Sequence, residues 1–249
     1  MRTVLRFLAA MWEENPALPL LAPLFFLQGV YTRAFTVKLP EAEGLRGGSA
    51  GRGPAVRILI VGDSSAAGVG VERLEQAFPG QLTTALQDNL AVQWKLLAKT
   101  GATTESALGE LASCPAETFD IAVTSLGVND VTSGLSVSEW LRLQKQIVEL
   151  LRTRFQVRTV MLTSLPPMHE FTALPEPLRW FLGRRALRFN RALREFVPTL
   201  EGCELVELRD VAGPGMLATD GFHPSAQTYV AWGQAVAAMI VARALQQSR

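Results

Sequence analysis

Residues 57–64, RILIVGDS, predict a buried β-strand that ends in a tight turn. Residues 58–61 are four consecutive aliphatic residues, and a parallel strand covered on both faces has such a continuous apolar run. Gly62, Asp63 and Ser64 follow at once and are typical of a turn. A serine at this point would present its hydroxyl beyond the carboxyl end of the strand.

Outward from this stretch, the chain alternates between strand-like and helix-like segments. Further strands are predicted at residues 92–98, 119–127, 157–167 and 203–208. Helices are predicted at residues 78–90, 103–112, 138–154, 176–197 and 225–245, with Ser138 as the N-cap of the third. Strands that alternate with helices form a parallel sheet through right-handed crossovers. We therefore expect a three-layer α/β/α sandwich with a five-stranded parallel sheet over residues 57–249, and an active site beyond the carboxyl ends of its strands.

The residues before this domain divide into two segments. Residues 1–40 form an apolar leader, and residues 41–56, which contain five glycines and no apolar stretch, predict a flexible connector. No charge occurs in residues 15–32, a length close to that of a membrane span, but three prolines interrupt this run. Glu13 and Glu14 precede the run and no small-residue cleavage site follows it, which argues against a signal peptide. The leader either packs on the domain surface, lies in a membrane interface or spans the membrane.

Composition narrows the class of protein. Of 249 residues, 48% are hydrophobic and 19% charged, a balance that predicts a folded domain with a large core. The formal net charge of +1 gives no field that would attract nucleic acid. Cys114 and Cys203 are too few for a disulfide framework and lack metal-ligand spacing. We expect a cytoplasmic protein, with membrane association through the leader as the alternative.

Two further motifs follow predicted strands. GVND (127–130) ends the central strand, where the carboxamide of Asn129 could donate a hydrogen bond to an anionic intermediate. In DGFHPS (220–225), Asp220 precedes His223 by three residues, so its carboxylate can reach Nδ1 and orient Nε2 toward a hydroxyl. Taken singly, each motif has a plainer interpretation as a turn, a helix cap or a surface histidine. Together they supply a nucleophile, a base, an orienting carboxylate and an oxyanion donor at one edge of the sheet.

In this combination the chain resembles the SGNH (GDSL-type) hydrolase family, in its esterase/lipase branch. The family's four sequence blocks match residues 62–64, Gly101, residues 127–130 and residues 220–223, in that order. The resemblance covers about residues 56–246 and implies a flavodoxin-like SGNH fold.

The same resemblance implies roles for individual residues. Its triad would be Ser64, Asp220 and His223. Its oxyanion hole would consist of the backbone N–H groups of Ser64 and Gly101 with the Asn129 side chain. Many members have an asparagine two residues before the block-two glycine, where this chain has Lys99, and this leaves the geometry of that loop open. Ser65 is the alternative nucleophile.

The resemblance further implies a serine esterase, a carboxylic-ester hydrolase that acts on small-molecule esters without metal or cofactor. We expect short to medium acyl chains, cleaved through an acyl-enzyme. A lipase, lysophospholipase, thioesterase or acyltransferase on long-chain acyl substrates would use the same triad. A non-catalytic binding protein on this fold would lack one of these residues, and none is missing.

Residues 166–181 follow the fourth predicted strand and should lie beside the site. Their large apolar side chains either line an acyl pocket or cover the sheet edge. These side chains are Met168, Phe171, Leu174, Trp180 and Phe181. His169 is expected on the rim or surface. The following helix carries several arginines away from its apolar face, which predicts a solvated basic face or a contact with phospholipid head groups.

Overall fold

The computed structural model describes residues 2–208 and 215–247. Its strands are β1 (Gly47–Ala50), β2 (Ala55–Gly62), β3 (Ala91–Ala98), β4 (Ile121–Ser125), β5 (Thr159–Thr163) and β6 (Cys203–Val206). Its α-helices are α1 (Arg2–Glu14), α2 (Ala22–Phe35), α3 (Phe78–Leu86), α4 (Thr104–Ser113), α5 (Val128–Thr132), α6 (Val137–Phe155), α7 (Leu178–Phe196) and α8 (Ala226–Gln247). Short 3₁₀ turns occur at Leu18–Leu21, Met168–Glu170 and Val197–Thr199.

The sheet has the strand order β1-β3-β2-β4-β5-β6. Side chains of β2 alternate between two cores, because Ile58 and Ile60 pack with α3 and α8 while Leu59 and Val61 face the core under α4, α6 and α7. The three-layer α/β/α sandwich is thereby confirmed, and β2 to β6 are the five parallel strands that were predicted.

The sixth strand was not predicted and lies in the segment that was expected to be a flexible connector. β1 pairs antiparallel with β3, from Gly47 opposite Lys95 to Ala50 opposite Val92. Its sequence, GGSA, has no apolar run. Backbone hydrogen bonds to β3 hold this four-residue edge strand in the sheet. Gly48 lies against the indole of Trp94, where a Cβ would come within 3.3 Å of Nε1. Part of residues 41–56 is therefore ordered sheet, and the five-strand count was one short.

The N-terminal segment forms two helices that pack against α7. Phe25 is buried and stacks on Phe181 with ring centroids 5.2 Å apart. Glu14 at the end of α1 has a side chain only 3% exposed, and its carboxylate lies 2.8 Å from Arg188 and 3.5 Å from Arg184. Pro23 falls in the first turn of α2, where a missing N–H costs nothing, so it starts the helix rather than interrupting it.

The first turn of α6 differs from prediction at its cap. Ser136, not Ser138, is the N-cap of α6, because its hydroxyl accepts the N–H of Glu139. The arginines on the solvated face of α7 form ion pairs. Arg179 pairs with Glu176, Arg184 and Arg188 with Glu14, Arg191 with Glu195, and Arg194 with Glu207.

Candidate active site

The turn after β2 is held rigidly against β4. A Cβ on Gly62 would lie 2.5 Å from the Ala66 Cβ, so only glycine permits this close approach. The N–H of Asp63 donates to the Ser125 carbonyl at 3.2 Å, and the N–H of Val69 donates to the Ser64 carbonyl at 3.0 Å. These bonds place the Ser64 side chain just beyond the carboxyl end of β2.

Ser64, His223 and Asp220 form one continuous hydrogen-bonded chain. Nε2 of His223 lies 2.9 Å from Oγ of Ser64, and Nδ1 lies 2.6 Å from Oδ2 of Asp220. With the proton on Nδ1, the ring donates to Asp220 and leaves Nε2 to accept the serine hydroxyl. The ring forms its hydrogen bond with the hydroxyl of Ser64 and not with Ser65. The backbone N–H of Ser65 donates to Oδ1 of Asp63 at 3.0 Å.

The loop that carries His223 is tied to Asp220 by its own backbone. Oδ1 of Asp220 accepts the N–H groups of Phe222 and His223, both at 3.0 Å. Burial would raise the pKa of Asp220, but hydrogen bonds from the His223 ring and these N–H groups hold that pKa below its ordinary value. Gly221 has φ +67°, and a Cβ there would meet the Thr172 hydroxyl at 2.3 Å. Asp220 therefore stays ionised and holds the imidazole in one tautomer.

Asn129 lies in the first turn of α5, directly after β4. Its Nδ2 donates to the Ala102 carbonyl at 2.9 Å and lies 3.4 Å from Oδ2 of Asp63. The side chain also lines the cleft beside Ser64. The amide is thus held between the turn after β2 and the loop after β3.

Gly101 lies in the loop after β3, at the same edge of the sheet. It is exposed and has φ +80°. The Lys99 carbonyl accepts the N–H of Ala102 at 3.0 Å, so a tight turn forms with lysine in place of the family's usual asparagine. Thr100 donates from its N–H and its hydroxyl to Oε1 of Glu41, at 2.7 and 2.8 Å. The segment before the domain thus clamps the loop that carries the predicted backbone donor.

Two buried carboxyls lie beside the site, and Asp63 accepts a backbone N–H of its own turn, as a turn aspartate is expected to do. Asp63 is 2% exposed, and burial raises its pKa to about 6, against the opposing hydrogen bond from the Ser65 N–H. Asp130 accepts the N–H and the hydroxyl of Thr104, the latter at 2.7 Å, and so joins α4 to the GVND motif. The Thr104–Asp130 contact follows from no local pattern, because it joins residues 26 positions apart in the chain.

The cleft beside Ser64 has walls made largely of apolar side chains. They are Val128, Pro166, Pro167, Phe171, Met216, Leu217 and Phe222. Phe222 contacts both the Phe171 ring and the His223 ring, with centroids 4.6 and 5.2 Å away.

Of the side chains predicted to line an acyl pocket, Phe171 alone is among the residues of this cleft. Met168, Leu174 and Phe181 are buried in the core, and Trp180 lies at the surface beneath Arg184. His169 is half exposed beside Glu170, as a rim histidine should be. Among residues 2–208 and 215–247, no three histidine, cysteine or acidic side chains cluster as metal ligands would.

A Ser–His–Asp chain at the carboxyl edge of a three-layer α/β fold is an arrangement found in serine hydrolases. The model of the GDSL-like Lipase/Acylhydrolase family matches residues 60–231, and the chain belongs to that family. It is 30% identical over 186 residues to the GDSL-like esterase Rv1075c of Mycobacterium tuberculosis, a match that covers 70% of this chain and 58% of that protein.

Solved structures share the fold at low sequence identity. A carbohydrate esterase family 2 enzyme with a carbohydrate binding domain, from Corynascus thermopiles (Myceliophthora fergusii), matches with TM-score 0.61 and 19% identity, over 77% of this chain and 68% of its own. The lipase Lip_vut3 from a goat rumen metagenome matches with TM-score 0.58 and 19% identity, over 74% of this chain and 96% of its own.

Proposed function

We propose that this protein is a serine esterase that hydrolyses small carboxylic esters of short to medium acyl chain through Ser64, His223 and Asp220. The observation that carries the proposal is the position of the His223 ring, which bridges the Ser64 hydroxyl and the Asp220 carboxylate. A neighbouring base that a carboxylate orients is sufficient to make the serine oxygen nucleophilic at neutral pH.

The reaction follows from the positions of these groups. Oγ of Ser64 attacks the ester carbonyl carbon as its proton moves to Nε2 of His223, and Asp220 stabilises the imidazolium. The tetrahedral intermediate collapses, His223 returns the proton to the leaving alcohol, and an acyl-enzyme remains. Water then loses a proton to His223 and attacks the acyl carbon. As the second tetrahedral intermediate collapses, His223 returns this proton to Oγ of Ser64, and the acid is released.

Three donors are proposed to hold the oxyanion of that intermediate: the N–H groups of Ser64 and Gly101 and the Nδ2 of Asn129. Asn129 already lies in the cleft beside Ser64. Its long 3.4 Å contact with Asp63 is the bond that an oxyanion would most easily replace.

The acyl group is proposed to lie in the apolar cleft beside Ser64. Pro166 and Pro167 form part of its wall, and proline side chains cannot rearrange to admit a longer chain. Phe171 and Phe222 pack together at the same cleft and limit its width. These features support short to medium acyl chains over the long chains of a lipase or an acyl-thioester substrate.

The test is a series of nitrophenyl esters of increasing acyl length with the wild type, Ser64→Ala and Ser65→Ala. We expect Ser64→Ala to lose at least about 10⁴-fold in kcat and Ser65→Ala to stay near wild type. Activity that survives in Ser64→Ala would contradict the proposal. A maximum of kcat/KM at long chains would instead favour a lipase.

The cytoplasmic location predicted from the two free cysteines remains a separate proposal.

A further inference from the structure

Helix α2 and the turn before it expose an apolar surface that nothing in the described chain covers. We call this the apolar patch: Leu20, Leu24, Phe26, Leu27, Val30 and Tyr31, all exposed. Phe26 and Leu27 are 67% and 64% exposed. A helix on the surface of a water-soluble domain normally directs polar residues outward, and α2 does not.

The patch is held outward because the opposite face of α2 is docked. Phe25 stacks on Phe181, and the Gln28 side chain donates to the Glu176 carbonyl at 2.6 Å while accepting the N–H of Leu178 at 3.1 Å. Rotating α2 to bury the patch would break all three contacts. The exposed face is therefore built into the fold.

The charged residues within 15–40, the segment that carries the patch, are of one sign. Residues 15–40 contain no aspartate or glutamate; Arg33 is exposed in the last turn of α2, and Lys38 is exposed three residues after the helix ends. Neither forms an ion pair with any residue within 2–208 or 215–247, in contrast to the paired arginines of α7. Trp12 and Tyr31, exposed nearby in sequence, are the aromatic type that prefers a membrane interface.

We infer that the apolar patch docks this protein on the surface of an anionic phospholipid bilayer. The patch would lie at the level of the head groups and upper acyl chains, and Arg33 and Lys38 would contact lipid phosphates. A second copy of the chain fits less well, because a symmetric dimer through α2 would bring these cations together without a carboxylate from residues 15–40. Leu18–Phe35 is long and apolar enough to cross a membrane, but a span would remove Phe25 and Gln28 from α7.

The same docking connects the bilayer contact to the cleft. Gln28 forms hydrogen bonds with Glu176 and Leu178, at the end of segment 171–178. Earlier in the same segment, the N–H of Ala173 donates to the Gly221 carbonyl at 3.1 Å. Phe171, at the start of this segment, lines the cleft. The membrane-facing helix is thus fastened to the segment that forms one wall of the candidate active site.

The test is flotation of the full-length protein with phosphatidylcholine vesicles, with and without phosphatidylglycerol. The variant Phe26→Glu/Leu27→Glu keeps good helix formers in α2 and removes apolar contact. Leu45→Glu is its matched control, since Leu45 is 81% exposed and lies outside α2, two residues before the edge strand β1. We expect the partition coefficient of the double variant to fall at least about tenfold, and that of Leu45→Glu to stay unchanged.

A charge variant tests the contact of Arg33 and Lys38 with lipid phosphates separately from the apolar contact. Arg33→Gln/Lys38→Gln should weaken binding to vesicles with phosphatidylglycerol by about fivefold or more, with little change on phosphatidylcholine alone. Neither set of changes touches the cleft, so hydrolysis of a soluble nitrophenyl ester should be unaffected.

Three results would overturn the inference. The first is vesicle binding by Phe26→Glu/Leu27→Glu equal to that of wild type. The second is a wild type that ignores vesicles but forms a concentration-dependent dimer, which the double variant abolishes. The third is a vesicle-bound wild type that resists extraction by alkaline carbonate, the behaviour of a spanning helix.

Discussion

At the scale of single residues, the Asn129 carboxamide carries the most specific chemical expectation after the serine. We predict that Asn129→Ala lowers kcat by about 100- to 1000-fold with little change in KM, because its donor acts on charge that develops only in the transition state. Steady-state kinetics on a short nitrophenyl ester measures this. Wild-type kcat in a folded Asn129→Ala protein would remove Asn129 from the proposed oxyanion hole.

Asp63 makes the stability of the folded protein depend on pH. Its pKa is about 6 in the folded protein against an ordinary value of 3.8, because the carboxyl is buried. The folded state therefore holds this proton more tightly than the unfolded chain, and the protein loses stability as pH rises from about 4 to about 6. Across this window, we predict that the free energy of unfolding of the wild type falls by about 3 kcal/mol more than that of Asp63→Asn. Urea unfolding at a series of pH values measures this difference. Parallel pH profiles for the variant and the wild type would contradict it.

Single residues also show what sequence alone can and cannot predict about the site. Asp220 and His223 could be found because they are three apart on one loop, where the motif itself restricts their geometry. The contact between Asn129 and Asp63 and the one between Thr100 and Glu41 could not, since they join segments that only the fold brings together. The raised pKa of Asp63 likewise depends on burial that no local pattern reveals.

At the scale of elements, the clamp between the N-terminal segment and the loop after β3 makes a prediction. Glu41 accepts two hydrogen bonds from Thr100, next to Gly101. Glu41→Gln replaces an ionised acceptor by a neutral one, so we expect kcat to fall about tenfold, with KM little changed, as the Gly101 donor loses its position. Glu43→Gln is the matched control, because that side chain is exposed. Equal kcat in both variants would show that the clamp does not act on the site.

Strands and helices were predictable where burial imposes a period. β2 has alternate side chains in two cores, and its apolar run predicted it at once. β1 could not be predicted in this way, because GGSA carries no apolar signal and its pairing depends on the free edge of β3. The sequence predicts Ser138 as the cap of α6, but Ser136 satisfies the same local rule two residues earlier and is the cap in the structure.

At the scale of the whole molecule, the N-terminal helices should unfold together with the sandwich. Phe25 is 1% exposed in the core shared with α7, and its neighbour Phe26 is on the outer face. We predict that Phe25→Ala lowers the free energy of unfolding by about 3–5 kcal/mol and Phe26→Ala changes it by no more than about 0.5 kcal/mol. Urea unfolding of the two variants measures this difference. Equal midpoints would mean that residues 1–40 are not part of the cooperative unit.

Ser64 is the proposed nucleophile of the whole molecule, and a covalent label tests that role directly. The protein is treated with a fluorophosphonate, which reacts with activated serines, and the adduct is located by peptide mass spectrometry. We predict a single adduct on Ser64 in the wild type and in Ser65→Ala, and none in Ser64→Ala or His223→Ala. An adduct on Ser65, or labelling that persists when His223 is replaced, would contradict the Ser64–His223–Asp220 assignment.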